Sequence, residues 1–255
     1  MEPLVSPLLA REGFRHAFFT RDGGVSEGAF ASLNFAWSNG DDEARVRENL
    51  ARGAAFLGVL PAHLYFLSQV HGVDVHEVDA GDRWDEVVTR EGDAIVSRDP
   101  RVACGVRAAD CVPILIADAR SGAVAAVHSG WRGTVLDVVA SAIARLVALT
   151  TEPPHLVAAV GPHISLAAFE VGDEVAREIE SASAAVGAVD RARWDKPHVD
   201  LRAIVHAELV RAGVAAIDHL EGCTFGDPSR FFSYRRDGRA SGRHLAAIVP
   251  REHSL

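Results

Sequence analysis

The chain of 255 residues has few cysteines, only Cys104, Cys111 and Cys223. A low and odd number of cysteines excludes a framework of paired disulfides and favours a reducing compartment. The N-terminus has no basic segment followed by a long apolar segment, so we predict no signal peptide. We therefore expect a cytoplasmic protein.

Long apolar runs and an excess of positive charge are also missing. The apolar stretch at 112–127 is interrupted by Asp118, Arg120 and Gly122, so it cannot span a bilayer. The formal net charge of −9 argues against a nucleic-acid partner, which usually requires a basic stripe. With 48% hydrophobic residues the chain can bury a substantial core, and we expect a soluble protein that contacts neither membrane nor nucleic acid. Local arginines still allow a small anionic substrate.

The chain also lacks internal repeats, low-complexity tracts and long linkers, which predicts a single domain over residues 1–255. Alternating strand and helix patterns predict an α/β or α+β fold with mixed β-sheets flanked by helices. The clearest signal is a hairpin of strands at 112–118 and 124–128, followed by helical spacing to about residue 149. The other predicted strands are 14–20, 63–70, 73–78, 93–97, 155–160, 221–225 and 243–249, and the other predicted helices are 42–58, 171–183 and 200–213.

A thiol and two imidazoles stand at predicted strand ends, beside glycine or acidic residues. They are Cys111, His128 and His71. Any one of these alone is more often a structural residue than a ligand. Together, one thiolate and two imidazoles can hold a zinc ion and leave a fourth coordination position open for chemistry.

Two other chemistries compete for these residues. Cys111 and His128 could form a nucleophile and its base for acyl transfer, although a strand rather than a helix follows Cys111, so no helix N-terminus lowers the thiol pKa. A multicopper oxidase needs many imidazoles, commonly in His-x-His pairs, and none of the 12 histidines forms such a pair. The pattern favours zinc because zinc also accounts for His71.

Several segments have the composition of anion-binding loops, although each is also common in ordinary surface turns. Arg21 begins a glycine turn whose N–H groups, with Ser32, could bind an anion. Arg132 precedes a predicted helix that Thr134 could cap, a natural position for phosphate. Residues 231–236 contain aromatic and arginine residues that could form a lid stacking on a planar ring and pairing with an anion.

Nine short motifs occur in an order that is typical of one known family. They are Thr20-Arg21 with Gly24-Val25-Ser26, Ser32-Leu33-Asn34, Gln69-Val70-His71-Gly72, Gly92-Asp93-Ala94, Ala109-Asp110-Cys111-Val112-Pro113, His128-Ser129-Gly130-Trp131-Arg132-Gly133, Gly161-Pro162, Phe169-Glu170-Val171-Gly172 and Phe232-Ser233-Tyr234-Arg235-Arg236-Asp237. The chain resembles the YfiH/laccase-domain family of bacterial purine nucleoside phosphorylases, once labelled polyphenol oxidases. The resemblance extends from about residue 14 to residue 249.

The resemblance implies a YfiH-like α/β/α domain with a catalytic zinc held by His71, Cys111 and His128. It implies phosphorolysis of adenosine, inosine, guanosine and S-methyl-5′-thioadenosine, together with adenosine deamination. Some members are linked instead to copper-dependent phenol oxidation or to editing of peptidoglycan precursors, so copper and a Cys–His amide hydrolase stay open as alternatives. We expect purine nucleosides and phosphate as the small-molecule partners, and a monomer or small homo-oligomer.

The same resemblance suggests which side chains bind substrate. Arg21 with Ser32, Arg132 and Arg236 are the candidates for phosphate binding, whereas Asn34 and Gln69 are expected to contact ribose or base. The chain departs from the family where a threonine is common before Ala109, because position 108 is alanine. It also has His163 after Gly161-Pro162, a further candidate ligand.

Overall fold

A computed structural model describes residues 2–150, 153–182 and 186–252. Its two main sheets, of six and four strands, lie face to face with helices on the outer side of each, and two short strands form a third sheet. The predicted mixed sheets flanked by helices are therefore confirmed. No helix in this part of the chain has both the length and the apolar character that crossing a membrane requires.

The strands are β1 (His16–Phe18), β2 (Leu64–Tyr65), β3 (Val75–Glu77), β4 (Ala94–Ser97), β5 (Ala103–Ala108), β6 (Val112–Asp118), β7 (Val124–Ser129), β8 (Leu156–Val160), β9 (Val189–Asp190), β10 (His198–Val199), β11 (Ala216–His219) and β12 (His244–Ile248). The α-helices are α1 (Pro7–Arg11), α2 (Glu43–Leu57), α3 (Trp84–Val87), α4 (Trp131–Val135), α5 (Val138–Val147), α6 (Asp173–Ala182), α7 (Leu201–Arg211) and α8 (Tyr234–Asp237).

The predicted hairpin is the centre of the larger sheet. That sheet has the order β11-β8-β6-β7-β4-β3, and β6 pairs with β7 in antiparallel register. Ile114 and Ile116 face α5, α6 and α7, whereas Leu115 and Ala117 face the second sheet. Because both faces of β6 are buried, its sequence is continuously apolar rather than alternating.

The smaller sheet has the order β1-β12-β5-β2, and its outer face is covered by α2. Val46, Leu50 and Ala54 on α2 pack against this face, which confirms the predicted helix. The side chain of Asp42 accepts a hydrogen bond from the N–H of Arg45, so Asp42 rather than Asp41 is the N-cap.

The helix predicted after the hairpin is in fact two helices. Asp137 has a φ of 62° and its side chain caps α5, which separates α5 from α4. Thr134 is therefore not a cap. It lies inside α4, and its hydroxyl donates to the carbonyl of Gly130.

Four of the observed strands were not predicted, namely β5, β9, β10 and β11. The segment predicted as a strand at 221–225 contains only an isolated bridge between Cys223 and His163. The helix predicted at 171–183 is observed as α6, and residue 183 lies outside the described residues.

Glu208 on α7 is a buried carboxyl that should make stability depend on pH. Its side chain is 3% exposed, and its Oε2 has no hydrogen-bond partner among the described residues. Burial and the negative charge of Asp137 outweigh the attraction of Arg211 and raise the pKa of Glu208 to about 8. In the unfolded chain Glu208 ionises near pH 4.3. The free energy of unfolding therefore falls as the pH rises from 4.3 through 8.

The substitution Glu208→Gln removes this ionisation. We expect the variant to exceed the native protein in free energy of unfolding by about 5 kcal/mol at pH 8.5, the equivalent of a pKa raised from about 4.3 to about 8, with little difference near pH 4.5. Urea unfolding at both pH values measures the effect, with Glu178→Gln on the exposed face of α6 as the control. A gain that is the same at both pH values would contradict this account.

Candidate metal centre

Three potential metal donors meet at one edge of the larger sheet. Cys111 immediately precedes β6 and His128 lies in β7, so the hairpin register, in which Pro113 pairs with His128, brings both to the same edge. His71 approaches from the loop between β2 and β3 with a φ of 62°. The donor atoms of His71, Cys111 and His128 all lie within 4.8 Å of one another. No other group of three such donors occurs in the part of the chain that the structure describes.

Asp93 connects the two histidines, and the sequence analysis gave it no role. One of its carboxylate oxygens accepts a hydrogen bond of 2.8 Å from Nδ1 of His128. The other accepts the N–H groups of Val70 and Gly72, at 3.1 Å and 2.6 Å, which fixes the loop that carries His71. Asp93 is fully buried. Its position in the motif Gly92-Asp93-Ala94, an acidic residue at the start of a buried strand, was the available signal.

Without a bound metal, the electrostatics of the site favour a thiolate at Cys111 beside a protonated imidazole at His128. Burial would raise the pKa of the Cys111 thiol, but the charges of His128 and His71 and their hydrogen bonds lower it to about 6. Burial would lower the pKa of His128, but Cys111 and Asp93 raise it to about 9. The hydrogen bonds to Asp93 likewise overcome its burial and hold the pKa of its carboxyl below the usual range.

The donor set fits one metal ion with three protein ligands. Nδ1 of His128 is hydrogen-bonded to Asp93, which leaves Nε2 as the ring nitrogen that could bind a metal. Nε2 of His71 lies 3.8 Å from Sγ of Cys111. Thiolate and imidazole are ligands that zinc and copper both accept, so the donors define a metal site and not the identity of the metal.

Asp93→Asn tests the role of Asp93 in orienting the donors. The amide of asparagine lacks the charge that supports three hydrogen bonds, so we expect metal affinity to fall by about 10- to 100-fold. Competition with a chromophoric chelator measures the affinity, and Asp195→Asn at an exposed position is the control. Unchanged affinity in a folded Asp93→Asn protein would show that Asp93 does not support the donors.

The backbone at Gly130 packs directly against the donors. A Cβ atom added there would lie 2.6 Å from Cδ2 of His71 and 3.1 Å from Sγ of Cys111. Gly130 is also the N-cap residue of α4, so the chain turns away from the donors at the first position after β7. Glycine is needed here for close approach rather than for an unusual backbone conformation.

The donors lie in the wall of a cavity of about 600 Å³. Aromatic side chains from three separate segments also line it, namely Trp131, Phe169 and Tyr234. Four arginines contribute to the same walls: Arg107, Arg132, Arg235 and Arg243. The cavity therefore combines a metal site, flat apolar surfaces and positive charge.

Two of the six residues predicted to bind substrate line this cavity. Arg132 is exposed and its guanidinium lies 5.1 Å from the ring centre of Trp131. Gln69 also lines the cavity, but its amide is occupied: Oε1 accepts from the N–H of Arg107 at 2.8 Å and Nε2 donates to the carbonyl of Arg107 at 2.6 Å.

Arg21 and Ser32 do not line the cavity and are hydrogen-bonded to the backbone instead. Arg21 donates to the carbonyls of Ala31 and Pro228. The hydroxyl of Ser32 donates to the carbonyl of Arg21 and accepts from the N–H of Gly24. These contacts close the glycine turn, and direct binding of substrate by either residue stays a prediction.

Asn34 and Arg236 also lie outside the cavity lining. Asn34 is fully buried, and its Oδ1 accepts from the N–H of Arg243 at 2.9 Å. The guanidinium of Arg236 donates to the carbonyls of Thr224, Phe225 and Phe231. Asn34 supports the cavity wall through Arg243, and contact of Asn34 or Arg236 with substrate is likewise a prediction.

The predicted lid at 231–236 is only partly exposed. Phe231 and Phe232 are buried, because they pack in the interior around His244. Tyr234 is 48% exposed and is the aromatic residue of this segment that lines the cavity. Asp110 fixes the segment: its carboxylate accepts the hydroxyl of Ser233 at 3.1 Å and the N–H of Arg235 at 2.6 Å.

His163 is not part of the donor group. It is buried, and its Nδ1 donates to the carbonyl of Gly161 at 2.8 Å. Burial lowers its pKa to about 4, so it is a neutral residue of the interior at physiological pH.

Comparison with known proteins agrees with the motifs. The sequence model of a family described as multi-copper polyphenol oxidoreductase laccase matches residues 15–251. The chain belongs to this laccase-like family.

Relatives of this laccase-like chain carry a different functional name. A Deinococcus radiodurans protein named purine nucleoside phosphorylase is 39% identical over 237 residues, which cover 92% of this chain and 89% of that protein. A Streptomyces griseus protein named purine nucleoside phosphorylase ORF3 is 39% identical over 91% of this chain and 92% of its own length. The crystal structure of YfiH from Bacillus licheniformis superposes with a TM-score of 0.85 at 29% identity, covering 92% of each chain. The resemblance to YfiH proteins is thus confirmed.

Proposed function

We propose that this protein is a zinc-dependent purine nucleoside phosphorylase that also deaminates adenosine. The observation that carries the proposal is a single cavity containing the His71, Cys111 and His128 donors, three aromatic side chains and four arginines. The names of the relatives support an enzyme of this class. Adenosine, inosine, guanosine and S-methyl-5′-thioadenosine are the proposed substrates, with inorganic phosphate.

The aromatic residues provide surfaces for a purine ring. Trp131 and Phe169 present partly exposed faces, and Tyr234 adds a hydroxyl at the cavity edge. Aromatic rings pack favourably on flat heterocycles, and a nearby hydroxyl can select among their edge groups. These side chains would hold the base so that the ribose lies between it and the arginines.

Phosphorolysis requires an oriented phosphate rather than a protein nucleophile. A phosphate oxygen attacks C1′ of the ribose, the bond from C1′ to N9 of the base breaks, and the base leaves with the electron pair and takes up a proton. Arginines lower the cost of bringing a phosphate dianion to this position, because they supply paired N–H donors and positive charge. The products are the free base and ribose 1-phosphate.

The chain's own residues would prepare the metal site. Asp93 holds His128 so that Nε2 is the nitrogen turned to the other donors, and the depressed pKa of Cys111 keeps a thiolate available near neutral pH. Zinc held by these residues would supply a Lewis acid with an open coordination position, the chemistry that hydrolytic removal of the adenine amino group requires.

A Cys–His hydrolase is the second candidate. Asp93, His128 and Cys111 have the order of orienting carboxylate, base and nucleophile that such enzymes use. His71 fits this alternative less well, because its Nε2 lies 3.8 Å from Sγ of Cys111 with no role as base or orienting group. A multicopper site needs several clusters of imidazoles, and the described residues contain one three-donor group.

The direct test is to incubate purified protein with each nucleoside, with and without phosphate, and to determine its metal content. We expect stoichiometric zinc, base and ribose 1-phosphate only with phosphate, and inosine from adenosine without it. A metal-loaded protein that forms none of these products would refute the proposed function.

A further inference from the structure

The four arginines of the cavity differ in their surroundings. Arg132 and Arg235 are exposed at its edge, and Arg235 donates to the carbonyl of Glu170. Arg107 and Arg243 are partly buried in the wall. Neither forms an ion pair with a carboxylate among the residues that the structure describes.

Strand pairing places Arg107 and Arg243 side by side. In the antiparallel pair of β5 and β12, Arg107 is opposite Leu245, which is two residues after Arg243. Residues two apart on a strand share a face, so both arginines project from the same face of the smaller sheet. They come from positions far apart in the chain and meet only because β5 and β12 pair.

The backbone of each arginine is held by a polar side chain. Gln69 forms two hydrogen bonds to the N–H and carbonyl of Arg107. Oδ1 of Asn34 accepts from the N–H of Arg243, and the N–H of Phe35 donates to the carbonyl of Arg243 at 3.0 Å. These bonds fix the backbone from which both side chains extend, and the guanidinium groups lie in the cavity wall.

The guanidinium groups themselves contact only neutral partners. Arg107 donates weakly to the carbonyls of Phe35 and Leu67, at 3.5 Å and 3.3 Å, and lies 4.3 Å from the ring centre of Phe66. Arg243 donates through one terminal nitrogen to the carbonyls of Ser241 and Gly242.

Asp110 is the acidic residue in the cavity lining, but its carboxylate is occupied by Thr224, Ser233 and the N–H of Arg235. Burial lowers the pKa of both arginines; at Arg243 it outweighs the attraction of Cys111, Asp110 and Tyr234, and at Arg107 the positive charge of Arg243 adds to it. Adjacent cations in a partly dehydrated wall are costly unless an anion compensates them.

We propose that Arg107 and Arg243 form the binding site for a phosphate group in this cavity. Its identification as the inorganic phosphate of phosphorolysis rests on the proposed function. Asn34 and Gln69 then act through these arginines, by positioning them, rather than by touching ribose or base. The two exposed arginines at the edge serve to attract the anion and the substrate.

The test compares Arg243→Gln and Arg107→Gln with Arg239→Gln in the metal-containing protein. Arg239 is exposed, lies four residues before Arg243 and does not line the cavity, so it matches the change in charge. We expect the KM for phosphate to rise about 10- to 100-fold in the first two variants, the strength of one charge-assisted hydrogen bond, and to stay unchanged in Arg239→Gln. Arg239→Gln should also retain its rate of adenosine deamination, which uses no phosphate. Lysine keeps the charge of arginine but not its paired donors. Arg243→Lys or Arg107→Lys is therefore used at a position where the glutamine variant fails to fold.

Calorimetric binding of inorganic phosphate without nucleoside separates this inference from the proposed function. Phosphate binding that is lost in Arg243→Gln supports the site even if no nucleoside is cleaved. Phosphorolysis with an unchanged KM for phosphate in both variants overturns the site while leaving the proposed function intact. Titration with adenosine 5′-monophosphate distinguishes the source: arginine-dependent binding of the nucleotide without binding of free phosphate would overturn the assignment to inorganic phosphate.

Discussion

Cys111→Ser is expected to remove bound metal from the protein and to lower phosphorolysis by more than about 100-fold, which exceeds the effect of losing a group that only orients a ligand. The reason is electrostatic. The imidazoles of His71 and His128 lower the pKa of Cys111 to about 6, so this side chain is a thiolate near neutral pH, whereas a serine hydroxyl stays protonated. Metal analysis by mass spectrometry and the nucleoside assay measure the two effects.

This substitution also decides between the two candidate functions. The control is Cys223→Ser, because Cys223 lies outside the donor group and accepts its hydrogen bonds from Ser165 and Gly226. We expect that variant to keep its metal and its turnover. A native protein that binds no metal at Cys111 but forms a covalent acyl adduct there would establish the hydrolase and refute the zinc enzyme.

The fold was predictable where neighbouring residues determine the structure. The hairpin of β6 and β7 follows from two apolar runs around a glycine turn, and α2 follows from its apolar face and Asp42. Strand β5 was not predicted because Gly105 and Arg107 interrupt its apolar pattern. It is a strand because β12 and β2 pair with it on both sides, which the local sequence does not reveal.

The same distinction applies to the candidate site. His71, Cys111 and His128 stand in compact motifs, so their residue types alone indicated a metal site. Arg107 and Arg243 have no comparable motif, and their proximity depends on the register of β5 and β12.

Asn34 and Gln69 show a second limit of sequence reasoning. They are predicted to contact ribose or base, and this stays a prediction; the structure adds that their amides are hydrogen-bonded to the backbone of Arg243 and Arg107. A pattern of residue types indicates that a side chain matters near a site. It does not reveal hydrogen bonds to distant residues such as those to Arg107 and Arg243, which form only in the folded chain.

Gly130→Ala tests whether close approach of the backbone shapes the metal site. The added Cβ would lie 2.6 Å from Cδ2 of His71, so the histidine or the start of α4 must move away from Cys111. Displacing a functional group by 1 Å can cost about 100-fold in rate, and we expect losses of at least that order in turnover, accompanied by weaker metal binding. Overpacking should also lower the free energy of unfolding by about 1–3 kcal/mol.

The matched control is Gly172→Ala, because a Cβ atom at Gly172 meets nothing within 4 Å. Chelator competition, turnover and thermal unfolding should all be near native in that variant. The decisive comparison is between stability and metal affinity in Gly130→Ala. Loss of stability with native metal affinity would mean that the donors adjust around the methyl group, and the packing of Gly130 would then serve the fold and not the metal.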